Sequence, residues 1–268
     1  MSIIHIGYTS GIEPSIRVIG GPRRTAGGIP CMRSKSILCA CFIALLLCGC
    51  TAPKVYLRPS NPHAAQDEAL SWHQIRFKWH WPGNQEPEWS LDLLAADRIF
   101  SGIIDRYQGS LPLWRFHRRA ARDPAGFQFS FIFYSSDATA REIETDVTGH
   151  PITRALLDHG LLERVYTTHP KNPSKLSATS DPIWPKDIQK AWPMFIMGAS
   201  QTWLALVQIH AREGPAPGND IDKMRQHYAK VNDEIDKEWQ EYAQHAFFHH
   251  LSAIFGYEPM VLRKYLLF

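Results

Sequence analysis

Residues 111–134, LPLWRFHRRAARDPAGFQFSFIFY, constrain the fold of this chain more than any other stretch. Trp114, Phe116 and Arg118 alternate with Leu113, Arg115, His117 and Arg119. Downstream, Phe127, Phe129, Phe131 and Phe133 alternate with Gln128, Ser130, Ile132 and Tyr134. A period of two with one aromatic side describes half-buried β-strands rather than a helix. Between them Asp123-Pro124-Ala125-Gly126 has type I turn preferences, because Pro presets φ and Asp bonds its own backbone. The segment therefore reads as a hairpin with an oily face that other elements must cover.

The rest of the chain supplies those elements. Trp72–Trp81 alternates in the same way: His73, Ile75, Phe77, Trp79 and Trp81 against Trp72, Gln74, Arg76, Lys78 and His80. It predicts a strand ended by Pro82-Gly83. A helix capped by Ser90 is expected to Tyr107, with Leu91, Leu94, Ala95, Ile99 and Ile103 as its apolar stripe. Ser135-Ser136-Asp137 opens a helix to about Val147, a short helix covers residues 152–159, and Leu161–Thr168 is a fourth strand. The order β-α-β-β-α-β predicts an α+β fold, a ferredoxin-like sandwich. A helical hairpin is expected after it. Its first helix, about Pro193–Ile209, is apolar nearly all round and predicted to be buried. Its second, capped by Asn219, carries a seam of Ile221, Met224, Tyr228, Val231, Ile235, Trp239 and Tyr242. Phe247–Phe268 is too aromatic for a free tail.

With 268 residues, 44% of them hydrophobic, the chain can bury one sizeable core. A net charge of +3, with both signs interspersed, is ordinary and gives no argument for a nucleic-acid surface, and no nucleic-acid partner is expected. All five cysteines precede Thr51. The body from Thr51 onward thus has no disulfide framework, thiolate zinc site or cysteine nucleophile. No P-loop, dinucleotide fingerprint or Ser-His-Asp spacing is visible, and no cofactor is expected.

The cysteine-rich segment has its own logic. Met32-Arg33-Ser34-Lys35 is a short basic region, residues 36–48 an apolar run too short to span a bilayer, and Leu47-Cys48-Gly49-Cys50 follows. This resembles the lipobox of bacterial lipoproteins, with Cys48 where a small residue is commoner. The resemblance implies lipidation of Cys50 and a membrane anchor. Thr51 rather than aspartate after the cysteine implies the outer membrane, facing the periplasm. The expected organisation is an extension over 1–31 that does not belong to the signal, a signal peptide over 32–49, a Pro-rich tether over 50–69, and a single domain over 70–268.

Arg76, Lys78 and His80 on the first strand, with Arg115, His117 and Arg119 on the second, form one basic sheet face. Clustered guanidinium groups suit carboxylates or phosphates, because the planar fork binds two oxygens. The alternative is that this face docks the acidic last helix, which offers Asp220, Asp222, Asp233, Glu234, Asp236, Glu238 and Glu241. Glu241, His245 and His249, four apart on one helix, are a candidate metal triad or interface histidines. Trp72–Thr168 also resembles the C-terminal domain of lantibiotic dehydratases and thiopeptide-type biosynthesis proteins, where an aromatic strand ending in Arg leads through Asp-Pro into a second strand. That family's basic residues on the second strand are replaced here by Gly126, Phe127, Gln128 and Ser130, so the resemblance implies the fold and not the elimination chemistry. The expectation is a membrane-anchored lipoprotein facing the periplasm, a non-catalytic module that binds an envelope partner or anionic ligand or serves in envelope assembly. The alternative is a lipid-anchored enzyme using His117 with Arg115 and Arg119.

Overall fold

A computed structural model describes residues 69–83, 85–119, 125–214 and 216–257. All fall within one unit of the chain, Leu57–Phe268. The expected extension, signal peptide and lipidated Cys50, the tether up to residue 68, Asp123-Pro124 and the last eleven residues lie outside the described set.

Four strands, β1 (Ser71–Trp79), β2 (Leu113–Arg118), β3 (Gln128–Ser135) and β4 (Leu162–Thr168), form one sheet in the order β2-β3-β1-β4. All three pairings are antiparallel. The fold is α+β, as the alternation predicts. The β2–β3 pairing ends where Arg119 N–H donates to the Gln128 carbonyl at 2.9 Å. Residues 120–127 connect the two strands, and the first half of the turn expected at Asp123–Gly126 lies outside the described residues. Phe127 is held elsewhere: its carbonyl accepts from Trp79 N–H at 3.2 Å, and its ring packs against Trp79 and Trp89. Gly126 takes φ +73°, a backbone that glycine adopts at little cost.

Helix α1 runs over residues 90–107, with a π turn at Ala96–Phe100. It lies on the aromatic face of the sheet. Phe100 is fully buried and meets Phe77, Phe116, Phe129 and Phe131 with ring centroids 5.1 to 6.1 Å apart. Burial of each such ring stabilises the fold by roughly 1.5–3 kcal/mol. Ser90 does not cap this helix. It is the first helical residue and is buried, behind an N-cap Trp89 that makes no side-chain cap bond. Helix α2 (Asp137–Gly149) is capped by Ser136, whose hydroxyl accepts from Thr139 N–H. Helix α3 (Pro151–Asp158) is capped by His150 and starts with proline, which has no N–H to leave unpaired.

Helix α4 (Lys186–Ala211) begins seven residues before the expected Pro193. Proline normally breaks a helix because the carbonyl four residues back loses its donor. Here that carbonyl, of Gln189, accepts from the Ser180 hydroxyl at 2.7 Å, and the helix continues through the proline. The expectation that α4 is buried all round fails. Gln189, Pro193, Ser200, Leu204 and Val207 form its one buried stripe, while Ile188, Met194, Phe195 and Ile209 are exposed. That stripe closes the free edge of β2: Phe116 N–H donates to Ser200 Oγ at 3.1 Å, and Trp203 meets the Phe116 ring edge-on.

Helix α5 covers residues 221–254, comprising Ile221–Glu238, a π turn at Trp239–Ala243, and Gln244–Ile254. Its cap is Asp220, one residue past the expected Asn219. The expected seam is buried at Ile221, Met224, Tyr228, Val231 and Ile235, packing on α1, where Tyr228 donates to Asp97; just before α1, Glu88 accepts two 2.9 Å bonds from Arg225. Trp239 and Tyr242 are exposed, so the seam stops there. From Trp239 to Tyr257 no residue is buried. No described helix is long and apolar enough to cross a membrane.

Candidate functional site

The sheet face turned away from α1 is built by register. His117, Ser130, Arg76 and Tyr166 occupy one row across β2, β3, β1 and β4. The next row holds Arg115, Ile132, Gln74 and Thr168. Beyond the other side lie Gln128, Lys78 and Arg164, with Arg119 beside Gln128 just after β2. Directly opposed side chains on one face stand about 5 Å apart at Cβ, so these groups converge. The basic residues expected from alternation thus share one face.

They are not equivalent. Lys78 pairs with Glu163 at 2.9 Å, and this hydrogen bond raises the pKa of the lysine. His80, past the end of β1, is mostly exposed and sits 3.7 Å from the same carboxylate. Both are engaged with one local acid at the sheet margin. Arg115 is different: it makes no ion pair or hydrogen bond, its Nε is sealed from solvent, and burial depresses its pKa. Arg76 Nε is also buried and unbonded, and its guanidinium stacks on Tyr166, 5.4 Å from the ring centroid. Arg164 stacks on the same ring at 5.5 Å. At the centre Ser130 is fully buried, and its hydroxyl has no partner. Gln128 donates to the Ala125 carbonyl but leaves Oε1 unbonded. A half-buried guanidinium with a sealed, unbonded Nε and no counter-charge is costly, and such groups are normally paired. The face holds surplus donors and positive charge, the complement of an anion with several oxygens.

The acidic helix does not cover this face. Helix α5 packs on α1, on the opposite side of the sheet, and Asp220 and Asp222 bond Lys223 and Arg225 within it. A strap after β4 crosses instead, over the end away from Lys78. Ser174 accepts from Trp72 N–H at 2.7 Å and donates to Ser71 Oγ, and Leu176 packs on Trp72, Leu113 and Ile132. Of the candidate metal triad, Glu241, His245 and His249 are exposed, and the two histidine rings stack 5.5 Å apart. Among the described residues no three His, Cys, Asp or Glu are grouped to hold a metal.

Sequence reasoning missed two polar clusters. Arg118 was assigned to the aromatic side, and it does point there. Its Nε donates to Asp92 at 2.9 Å, while Trp79 Nε1 donates to the other oxygen at 2.7 Å. Asp92 is completely buried, and burial pushes its pKa up to about 6 against the pull of Arg118. The second cluster joins His73, His169 and Glu144. An arginine amid an aromatic alternation is the signal that could have revealed the first. The second pairs residues 96 apart and left no local trace. Comparison with protein-family models and with curated proteins finds no match to this chain.

Proposed function

We propose that this protein binds an anionic ligand, through carboxylate or phosphate oxygens, on the sheet face between Arg76 and Arg115, and does so without catalysis. The observation that carries this reading is the Arg115 guanidinium, partly desolvated and without a counter-charge near the buried, unbonded Ser130 hydroxyl. Catalysis is disfavoured by the same serine. An activated serine nucleophile needs a base within hydrogen-bond reach. Ser130 Oγ bonds to no side chain, although His117 is its cross-strand neighbour.

The setting is a lipoprotein anchored through Cys50 to the outer membrane, facing the periplasm. It is supported by the basic region, the short apolar run and the lipobox. The finer fold assignment, ferredoxin-like, is supported by the strand order β2-β3-β1-β4 with antiparallel neighbours. In the anchored protein this face would meet a partner or small anion of the cell envelope.

Thermal unfolding with inorganic phosphate, citrate and, as a neutral control, glucose tests the reading. Phosphate or citrate raises Tm, glucose does not, and Arg115→Gln with Arg76→Gln abolishes the shift. No shift from either anion in the unaltered protein would remove the reading. Labelling of cells with a palmitate analogue tests the anchor: label present in the unaltered chain and lost in Cys50→Ser supports it, and label unchanged in Cys50→Ser overturns it.

A further inference from the structure

The strap that crosses one end of the polar face is rooted in a histidine pair whose proton count is set by its neighbours. His73 is fully buried in the sheet, with Nε2 3.2 Å from the Ser135 carbonyl. A carbonyl only accepts, so this nitrogen carries a hydrogen. His169, the residue after β4, places Nε2 2.8 Å from Glu144 Oε2, and Glu144 Oε1 accepts from Thr167 at 2.9 Å. The remaining nitrogens, His73 Nδ1 and His169 Nδ1, lie 3.1 Å apart. The ring centroids are 5.2 Å apart, so the two Nδ1 atoms face each other nearly head-on. Two lone pairs cannot face each other at this distance, so one hydrogen lies between them. With both outer nitrogens donating, the Glu144–His169–His73 chain holds one proton more than a carboxylate and two neutral imidazoles would.

We propose that this extra proton latches the strap, residues 169–180, across the sheet face and that its loss as pH rises loosens the strap. That the strap regulates ligand access rests on the anion-binding reading of the face. The latch itself does not. The groups facing the pair are Asp137, 3.6 Å from His73 Nε2, and Arg141 and Glu144, all from α2. Burial depresses the pKa of His73, so the buried ring resists holding a charge. For Glu144, burial acts upward, but hydrogen bonds from His169 and Thr167 outweigh it and leave the pKa lowered.

Geometry gives the latch its reach. His169 begins the segment whose Ser174 bonds Ser71 and Trp72, whose Leu176 carbonyl accepts from Trp72 Nε1 at 2.9 Å, and whose Ser174 carbonyl accepts from the Tyr134 hydroxyl. Without the shared proton, the facing lone pairs push the strap's first residue from its seat. The neutral bonds farther along then hold it alone. The patch beneath, Trp72, Leu113 and Ile132, adjoins Arg115 and Gln74 in the next row.

Amide hydrogen exchange of the full chain, corrected for intrinsic rates, tests this between about pH 5.5 and 8, the range of imidazole titration. Protection of the Trp72 and Ser174 amides falls about tenfold across this range, the worth of one charge-assisted contact. In His169→Lys, whose ammonium donates to both Glu144 and His73 at every pH used, protection stays flat. Flat protection in the unaltered protein, or an equal fall in His169→Lys, would overturn the latch. Phosphate titration of the same samples separates the two ideas. A strap that titrates on a protein that binds no phosphate keeps the latch and removes the ligand reading. Bound phosphate with flat protection does the reverse.

Discussion

Arg115 and Asp92 lie on opposite sides of one sheet and meet burial differently. Asp92 is satisfied by Trp79 and Arg118, with Arg118 also stacked on Trp89 and Trp203. Its pKa is raised from 3.8 to about 6, chiefly by burial. The native state therefore holds the proton more tightly than the unfolded chain. The stabilisation is full below the unfolded value, about 4, and is lost as pH rises through about 6. At 1.36 kcal/mol per unit, the difference is roughly 2–3 kcal/mol. Urea unfolding from pH 4 to 7.5 should show this slope in the unaltered protein and a flatter curve in Asp92→Asn. Arg115 has no such partner. Replacing a partly desolvated, uncompensated charge by a similar apolar chain removes its desolvation cost and is expected to be neutral or stabilising. Arg115→Met is expected to leave stability unchanged or raise it by about 1 kcal/mol while abolishing the phosphate-induced Tm shift. A clear loss of stability in this variant would mark Arg115 as a structural rather than a ligand-binding residue.

At the scale of elements, small hydroxyls repair the backbone where the chain breaks a local rule. Ser180 supplies the donor that Pro193 cannot, and Ser200 accepts from the free edge of β2. Ser180→Ala leaves the Gln189 carbonyl unpaired in a buried setting and should cost about 1–2 kcal/mol in denaturant unfolding, with fraying at the start of α4. Ser136→Ala, which removes the α2 cap, should cost about 1 kcal/mol. The two effects add, because the sites share no partner.

For the whole molecule, the division of faces decides what is available for function. The aromatic face is spent on α1 and its neighbours, the β2 edge on α4, and one end of the polar face on the strap. Among the described residues the surfaces left include the arginine row, the exposed side of α4 with Ile188, Met194 and Phe195, and the outer part of α5, with Trp239, Tyr242, Phe247, Phe248, Ile254 and Phe255 exposed. Because none of the described residues past Glu238 is buried, Phe247→Ser with Phe248→Ser should change unfolding free energy by no more than about 0.5 kcal/mol. Sedimentation of the same variant should show less self-association than the unaltered chain, since exposed aromatic groups are the main source of nonspecific contact.

Alternation alone determined the strands, their two faces and the α+β class. Side-chain direction has a period of two along any strand, so Arg76, Arg115 and His117 could be assigned to one side without coordinates. Helix caps were legible to within a residue at Ser136 and Asp220, because capping is a local bond. The start of α4 was not, since the donor that rescues Pro193 comes from Ser180, outside the helix. Which cations keep a free charge was not legible either. Lys78 and Arg115 look alike in the sequence, and only tertiary packing puts Glu163 beside the first and nothing beside the second. The placement of α5 on α1, and the meeting of His73 with His169, were likewise decided by packing. Charge partners and proton counts depend on distances between residues remote in the chain, and those distances exist only once the core has closed.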